Sequence, residues 1–471
     1  MKKKEISLRT KGGKSAKIDF LYQFDDSLPV ASFKLIFKAS GAVSEKTLGL
    51  ARICAGILGE GSKTLGVSEF HRKLDIRAVE ISAASNFETF GIQLNCLKEH
   101  FDFGLDMLRE LLSEPNLTPS VLEKLKMQTI GEIAVLKSEF DYIATCNLKA
   151  LLYPRTRLER PLIGDEASIE RITMKDVREF FASLSLENLY VVLCGDVSDK
   201  NPKIAEILSL FASGEKRELP FFTPSDAKKI KIQKEQTQQA YIYFGAPFTL
   251  PKEQEFIANT ALFVLGSSGF GSRLMERIRV KHGLAYSVYA RGDFELSRRE
   301  FWGYLQTKNE NLQNAAALVK EEIAKFIASG VSEEELKSAK KFLIGSAVLQ
   351  KETMFKRAAI AQSEYYKGYA FGEFERNLKR IETLKLGALN DFIKSHDEIM
   401  NLSFSVICDE AAAKKGLKIE PVAAQRVHTC DRPKIWVNFK ICKAAQTALN
   451  FTFLLRLRTA CVKFKTALAS R

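Results

Sequence analysis

The chain has 471 residues, of which 46% are apolar and 27% charged, an ordinary globular balance that excludes a disordered or collagen-like polypeptide. Its formal charge of +14 points toward nucleic acid until its location is traced: residues 424–471 carry ten Lys or Arg against the single acid Asp431, so the body before them is only mildly basic. That body also lacks a basic stripe interleaved with aromatics, and a nucleic-acid groove is not expected.

The opening "MKKKEISLRTKGGKSAKIDF" has basic residues but no apolar run behind them, which does not make a secretory signal. No stretch of about 18 apolar residues follows anywhere, so the expectation is a cytoplasmic protein without a membrane span. The first strand pattern is "VASFKLIFKAS", and "GLARICAGILGEGSKT" (49–64) then makes a short amphipathic helix between glycines. "AVEISAASNFETFGIQLNCL" alternates as a hairpin does, and the helical patterns "HFDFGLDMLRELLSE" and "SVLEKLKMQTIGEIAVLKSEF" come next. Eight cysteines are scattered in settings such as "VVLCGD" without CxxC spacing, so buried free thiols are expected, not a disulfide frame or a zinc finger.

"ERITMKDVREFFAS" (170–183) leads into the strand "NLYVVLCGD", and the same pattern recurs as "ETLKLGALNDFIKS" (382–395) leading into "NLSFSVICD". Ile172 falls on Leu384, Val177 on Leu389 and Phe180 on Phe392. A repeat at such an offset signals an internal duplication. The expected organisation is a first α+β half at 15–200, a linker at 201–237 and a second α+β half at 238–410, with a basic tail at 424–471. In the second half "QAYIYFGAPF", "LAYSVYARGDF" and "EFWGYLQTK" read as strands, with "NLQNAAALVKEEIAKFIASG" and "SEEELKSAKKFLIGSAVLQ" as helices. Each half should be a mostly antiparallel sheet covered by helices.

"GSSGFGSRLMERIRVKHGLAYSV" (266–288) has the glycines of a dinucleotide loop but is preceded by helical "EQEFIANTALFVLG", where that loop needs a strand. The plainer reading is a helix, a glycine loop and a second helix capped by Ser272 and ended by Gly283. Arg279 and Tyr286 then flank one helix-to-strand junction, suited to a peptide carbonyl or carboxylate; the alternative is a solvated Arg beside a core Tyr.

This pattern resembles the pitrilysin/insulinase family of zinc peptidases over about residues 20–410. The run from Gly271 through Arg279 to "GLAYSV" is similar to the family's second-half signature, and the resemblance implies that Arg279 and Tyr286 assist peptide binding. In active members a first-half helix carries His-x-x-Glu-His, two His on one helix face gripping Zn²⁺ and a Glu serving as base, with a distal Glu as third ligand. "GLARICAGILGEGSKT" falls in that frame with Arg52 and Gly56 at the His positions and Ala55 at the base position. Glu132, 76 residues beyond Gly56, matches the distal ligand alone.

One carboxylate does not make a zinc site that normally needs three protein ligands, so no catalytic residue and no metal or other cofactor is expected. His71 and His100 read as ordinary histidines. Arg52 either pairs with Glu132, offsetting a charge left in the vacated site, or extends to solvent. The resemblance implies a non-catalytic subunit that binds peptide beside a catalytic pitrilysin-like paralogue, or beside a second copy of itself. A structural assembly protein and an active metallopeptidase with rearranged ligands are the competing readings. The tail, with its abrupt change of composition, is either a basic membrane-surface segment or an extension without a selected fold.

Overall fold

The computed structural model describes residues 1–9 and 15–418; the tail expected at 424–471 lies outside the described residues. Two sheets follow the same path. In the first half, strands β1 (Lys2–Arg9), β2 (Ser15–Phe24), β3 (Val30–Lys38), β4 (Glu80–Ser85), β5 (Thr89–Leu97) and β6 (Leu189–Gly195) lie in the order β1-β2-β6-β3-β5-β4. In the second, β7 (Ile230–Lys234), β8 (Gln239–Pro247), β9 (Ala285–Phe294), β10 (Arg299–Lys308) and β11 (Ser403–Cys408) lie in the order β7-β11-β8-β10-β9. With β1 set aside as an added edge strand, the two orders are identical. In each sheet one pair is parallel (β2 with β6, β11 with β7) and the rest are antiparallel.

The helices repeat as well. The first half carries α1 (Leu50–Leu58), α2 (Gly66–Asp75), α3 (Phe101–Ser113), α4 (Pro119–Leu136), α5 (Phe140–Leu152), α6 (Glu166–Arg171), α7 (Met174–Ala182) and α8 (Pro202–Leu208). The second carries α9 (Glu255–Leu262), α10 (Leu312–Ser329), α11 (Glu333–Gln350), α12 (Met354–Tyr366), α13 (Glu373–Thr383), α14 (Leu386–Lys394) and α15 (Glu410–Lys415). Helices α3 to α7 match α10 to α14 in order, down to the caps: Thr118 opens α4 and Ser332 opens α11, each accepting from a backbone N–H three residues on.

Period-2 patterning decides which sheet face meets these helices. Phe90, Ile92, Leu94 and Cys96 of β5 are buried against the first core, while Thr89, Gly91, Gln93 and Asn95 face the other way. That other face is not left bare, because each half lends a helix to its neighbour. Met354 and Ala358 of α12 pack on Leu21, Ile36, Tyr190 and Val192 of the first sheet. Reciprocally, Ala144, Leu148 and Leu152 of α5 pack under Tyr243 and Ile407 of the second. Glu88 fastens the exchange, accepting from the Ser297 N–H (2.8 Å) and the Tyr366 O–H (2.7 Å) across the two halves.

The interval 201–237, expected as linker, holds more structure than that. It supplies α8, packed on α3, and β7, paired with β11. The reason it reads as linker is that β7, "IKIQK", is a short edge strand carrying Lys231 and Lys234, and lysines on an edge are a usual guard against edge pairing. Cys54, Cys96, Cys194 and Cys408 are buried free thiols, and Cys146 is a partly buried one. Among the described residues no helix is long and apolar enough to cross a membrane.

Candidate functional site

Helix α1 begins at Gly49, whose φ of 86° and position require glycine: a Cβ there would lie 2.5 Å from the Ile169 side chain and 2.6 Å from the Ile163 carbonyl. The Glu45 carboxylate accepts from the N–H groups of Gly49 (3.1 Å) and Ala51 (3.0 Å), satisfying donors that the first helical turn leaves open. Leu50, Ile53, Cys54, Ile57 and Leu58 enter the core. Arg52 and Gly56, one turn apart, are left on the open side, with the nearly buried Ala55 at its edge.

Helix α4 faces that side. Arg52 Nη2 donates to both oxygens of Glu132, at 2.8 and 2.6 Å, and the two side chains are 47% and 46% exposed. The pairing alternative of the sequence is therefore the observed one, in a half-exposed setting, not the buried one that would penalise the Glu132 charge. Farther along, Lys124 of α4 holds Glu60, just past the end of α1, at 2.7 Å, a second ion pair between these segments. Leu125 covers Gly56, its Cδ2 standing 3.2 Å from where a Cβ would be.

These donors do not fit zinc. A guanidinium has no lone pair to give, Gly56 and Ala55 offer no side-chain ligand or base, and Glu132 is engaged by Arg52. Among the described residues no group of three or more His, Cys, Asp or Glu side chains converges as a ligand set. His71 is spent on the Gly59 carbonyl at the end of α1 (2.9 Å), and His100 stands beside Glu99 (3.6 Å).

The second expected cluster forms elsewhere. Helix α9 runs on into a π-type segment, Phe263–Ser267, and the glycine loop lies between it and a second one, Met275–Lys281, where Ser272 Oγ accepts from the Met275 N–H at 3.3 Å. At its far side the Arg279 guanidinium lies between two rings, 4.4 Å from that of Phe270 and 4.7 Å from that of Tyr286. Phe270 is 71% and Tyr286 82% exposed, so this sandwich faces outward. Stacking fixes the plane of the guanidinium while leaving its N–H groups free to meet an acceptor. Tyr286 is thus neither a core residue nor isolated from Arg279.

The two clusters do not meet in one cavity of this chain. Arg52 and Glu132 sit on the rim of a cavity of about 780 Å³ between the halves, whose walls include Lys34, Tyr190, Arg298 and Tyr366, and neither Arg279 nor Tyr286 lines it. Reading the sequence missed Phe270, Glu88 and Lys34. Phe270 carried a usable signal, a lone aromatic among loop glycines; Glu88 and Lys34 carried none, since a turn acid and a strand lysine look solvated until the tertiary fold encloses them.

Comparison with known proteins agrees with this architecture. The profile described as Insulinase (Peptidase family M16) matches residues 24–166, and that described as Peptidase M16 inactive domain matches residues 171–343. The chain belongs to the M16 peptidase family. A curated M16 relative, the "Non-peptidase homolog YmxG" of Helicobacter pylori, is 38% identical over 405 residues, 85% of this chain and 94% of the relative. The "Uncharacterized zinc protease YmxG" of Bacillus subtilis is 24% identical over 313 residues, 65% of this chain and 75% of that one. Among solved structures, the peptidase M16 inactive domain from Pseudomonas fluorescens superposes with a TM-score of 0.76 at 21% identity, covering 88% of this chain and 100% of its own. A protease from Helicobacter pylori follows with a TM-score of 0.72 at 15% identity, covering 86% and 99%. At those identities the likeness is one of fold.

Proposed function

We propose that this M16 protein is the non-catalytic member of a peptidase pair, binding peptide for a catalytic paralogue that supplies zinc and base. The observation that carries the proposal is the replacement at the α1–α4 site: Arg52 grips Glu132 where the family pattern places a metal, and no base stands at position 55. The name of the Helicobacter pylori relative, a non-peptidase homologue, supports the same reading.

What the chain contributes is the Arg279–Tyr286 contact. A guanidinium stacked between two exposed rings offers its N–H groups to a peptide carbonyl or carboxylate at little ordering cost, and the Tyr286 hydroxyl adds a donor beside it. Because this sandwich lies outside the cavity of its own chain, it is free to act on a peptide held at a partner's metal.

The test is reconstitution. Purified chain, a His-x-x-Glu-His paralogue from the same genome, and their mixture are each assayed for peptide hydrolysis and for bound zinc. The proposal predicts no hydrolysis and no stoichiometric zinc in the chain alone, and higher activity in the mixture than in the paralogue alone. Hydrolysis by the chain alone with one tightly held zinc overturns it; a mixture no more active than the paralogue assigns the chain to scaffolding instead.

A further inference from the structure

Among the described residues, one cation on the walls of the cavity between the halves is left without an ion-pair partner. Of the positive side chains on its walls, Arg52 is held by Glu132, Arg160 by Asp165, and Lys149 and Arg298 by Glu300. Lys34 has no such partner. It projects from the middle of β3, where Phe33 and Leu35 on either side enter the core and the alternation turns Lys34 toward the cavity. No carboxylate pairs with it among the described residues; burial pushes its ammonium below the usual lysine range, and the Cys194 thiol is the one group that works against this.

The surroundings narrow what it would take. Gln362 and Ser363 of α12 line the same cavity and add neutral polar groups to its walls. The walls carry Glu88, Glu132, Glu159 and Glu295 against Lys34, Arg52, Lys149, Arg160 and Arg298, so their charges nearly balance and a single negative charge is what matches Lys34. Apolar wall is supplied by Leu136, Leu162 and Ile163, and about 780 Å³ is the size of a site for several residues of peptide. We propose that Lys34 binds the C-terminal carboxylate of a peptide lodged between the two halves. The inference rests on the reading of the chain as a peptide binder and adds a second contact, apart from the Arg279–Tyr286 sandwich.

Two probes test it, N-acetyl-Ala-Ala-Ala and its C-terminal amide. Binding is measured by calorimetry on the full chain, and by the rate at which trace acetic anhydride acylates Lys34, read by mass spectrometry. The acid is expected to bind roughly tenfold more tightly than the amide, the worth of one hydrogen bond to a charged group, and to slow acylation at Lys34 while leaving surface lysines unchanged. Lys34→Met abolishes the preference for the acid and Lys34→Arg retains it. Equal affinity for the two probes, or a preference that survives in Lys34→Met, overturns the assignment. So does acetate that protects Lys34 as well as the tripeptide acid, which makes the site one for small anions. Acylation of the wild-type chain needs no variant to fold. Arg279→Ala should leave Lys34 protection intact, so failure of the paired-activity test with protection retained refutes the pair and not this site.

Discussion

Alanine at Arg52, at Glu132 and at both gives a double-mutant cycle whose size follows from the geometry. A single nitrogen, Nη2, reaches both carboxylate oxygens, the nearer at 2.6 Å. Coulomb's law at that separation in water gives about 1.6 kcal/mol. Both side chains are close to half exposed, so ions screen the pair and ordering two long side chains offsets part of the gain. A coupling of about 0.5–1 kcal/mol results, and it should fall toward zero near 1 M salt. Urea unfolding of the four proteins at low and high salt measures it. A salt-insensitive coupling above about 3 kcal/mol, the range of a desolvated pair, would refute the reasoning and give Arg52 the full structural weight of a bound metal.

Three further outcomes are expected. Arg52→His, Ala55→Glu and Gly56→His combined, with Glu132 kept, should bind one zinc per chain by elemental analysis, the Leu125 tip giving way by a few tenths of an ångström; no zinc would mean that α1 is out of the assigned frame. Glu88→Ala strips the acceptor from the Ser297 N–H and the Tyr366 O–H and should cost about 2–4 kcal/mol in chemical unfolding, with Glu88→Gln costing less. Asp25 is held below the usual carboxylate range by the Ser27 hydroxyl first and, against the opposing effect of burial, by Arg357 of α12. Its contribution is thus present above the unfolded value of about 3.9 and lost as pH falls through the lower folded value; Asp25→Asn should flatten that acid limb of the stability curve.

The duplication was legible because apolar spacing is a local signal. Ile172, Val177 and Phe180 and their counterparts Leu384, Leu389 and Phe392 all face a core, and the repeated helix and strand that they specify are α7–β6 and α14–β11. The assignment of Arg52, Ala55 and Gly56 to the family's ligand and base positions came from the resemblance, not from apolar spacing. Relations between distant segments were not legible. The exchange of α5 and α12 between halves depends on which sheet face is left open, and β7 shows its role only beside β11. Lys34 has the spacing of any outward strand residue, and its enclosure comes from α12, more than 300 residues away.

The account turns on whether the exposed Arg279–Tyr286 sandwich serves another chain's active site. Peptide hydrolysis by the catalytic paralogue paired with wild-type chain, Arg279→Ala or Tyr286→Phe is the most direct measurement, with assembly of each pair checked by sizing. If Arg279 grips the peptide, Arg279→Ala should lower kcat/KM of the pair by about tenfold or more, the worth of a lost hydrogen bond from a charged group, with Tyr286→Phe smaller and assembly unchanged. Full activity in an assembled Arg279→Ala pair would contradict the account.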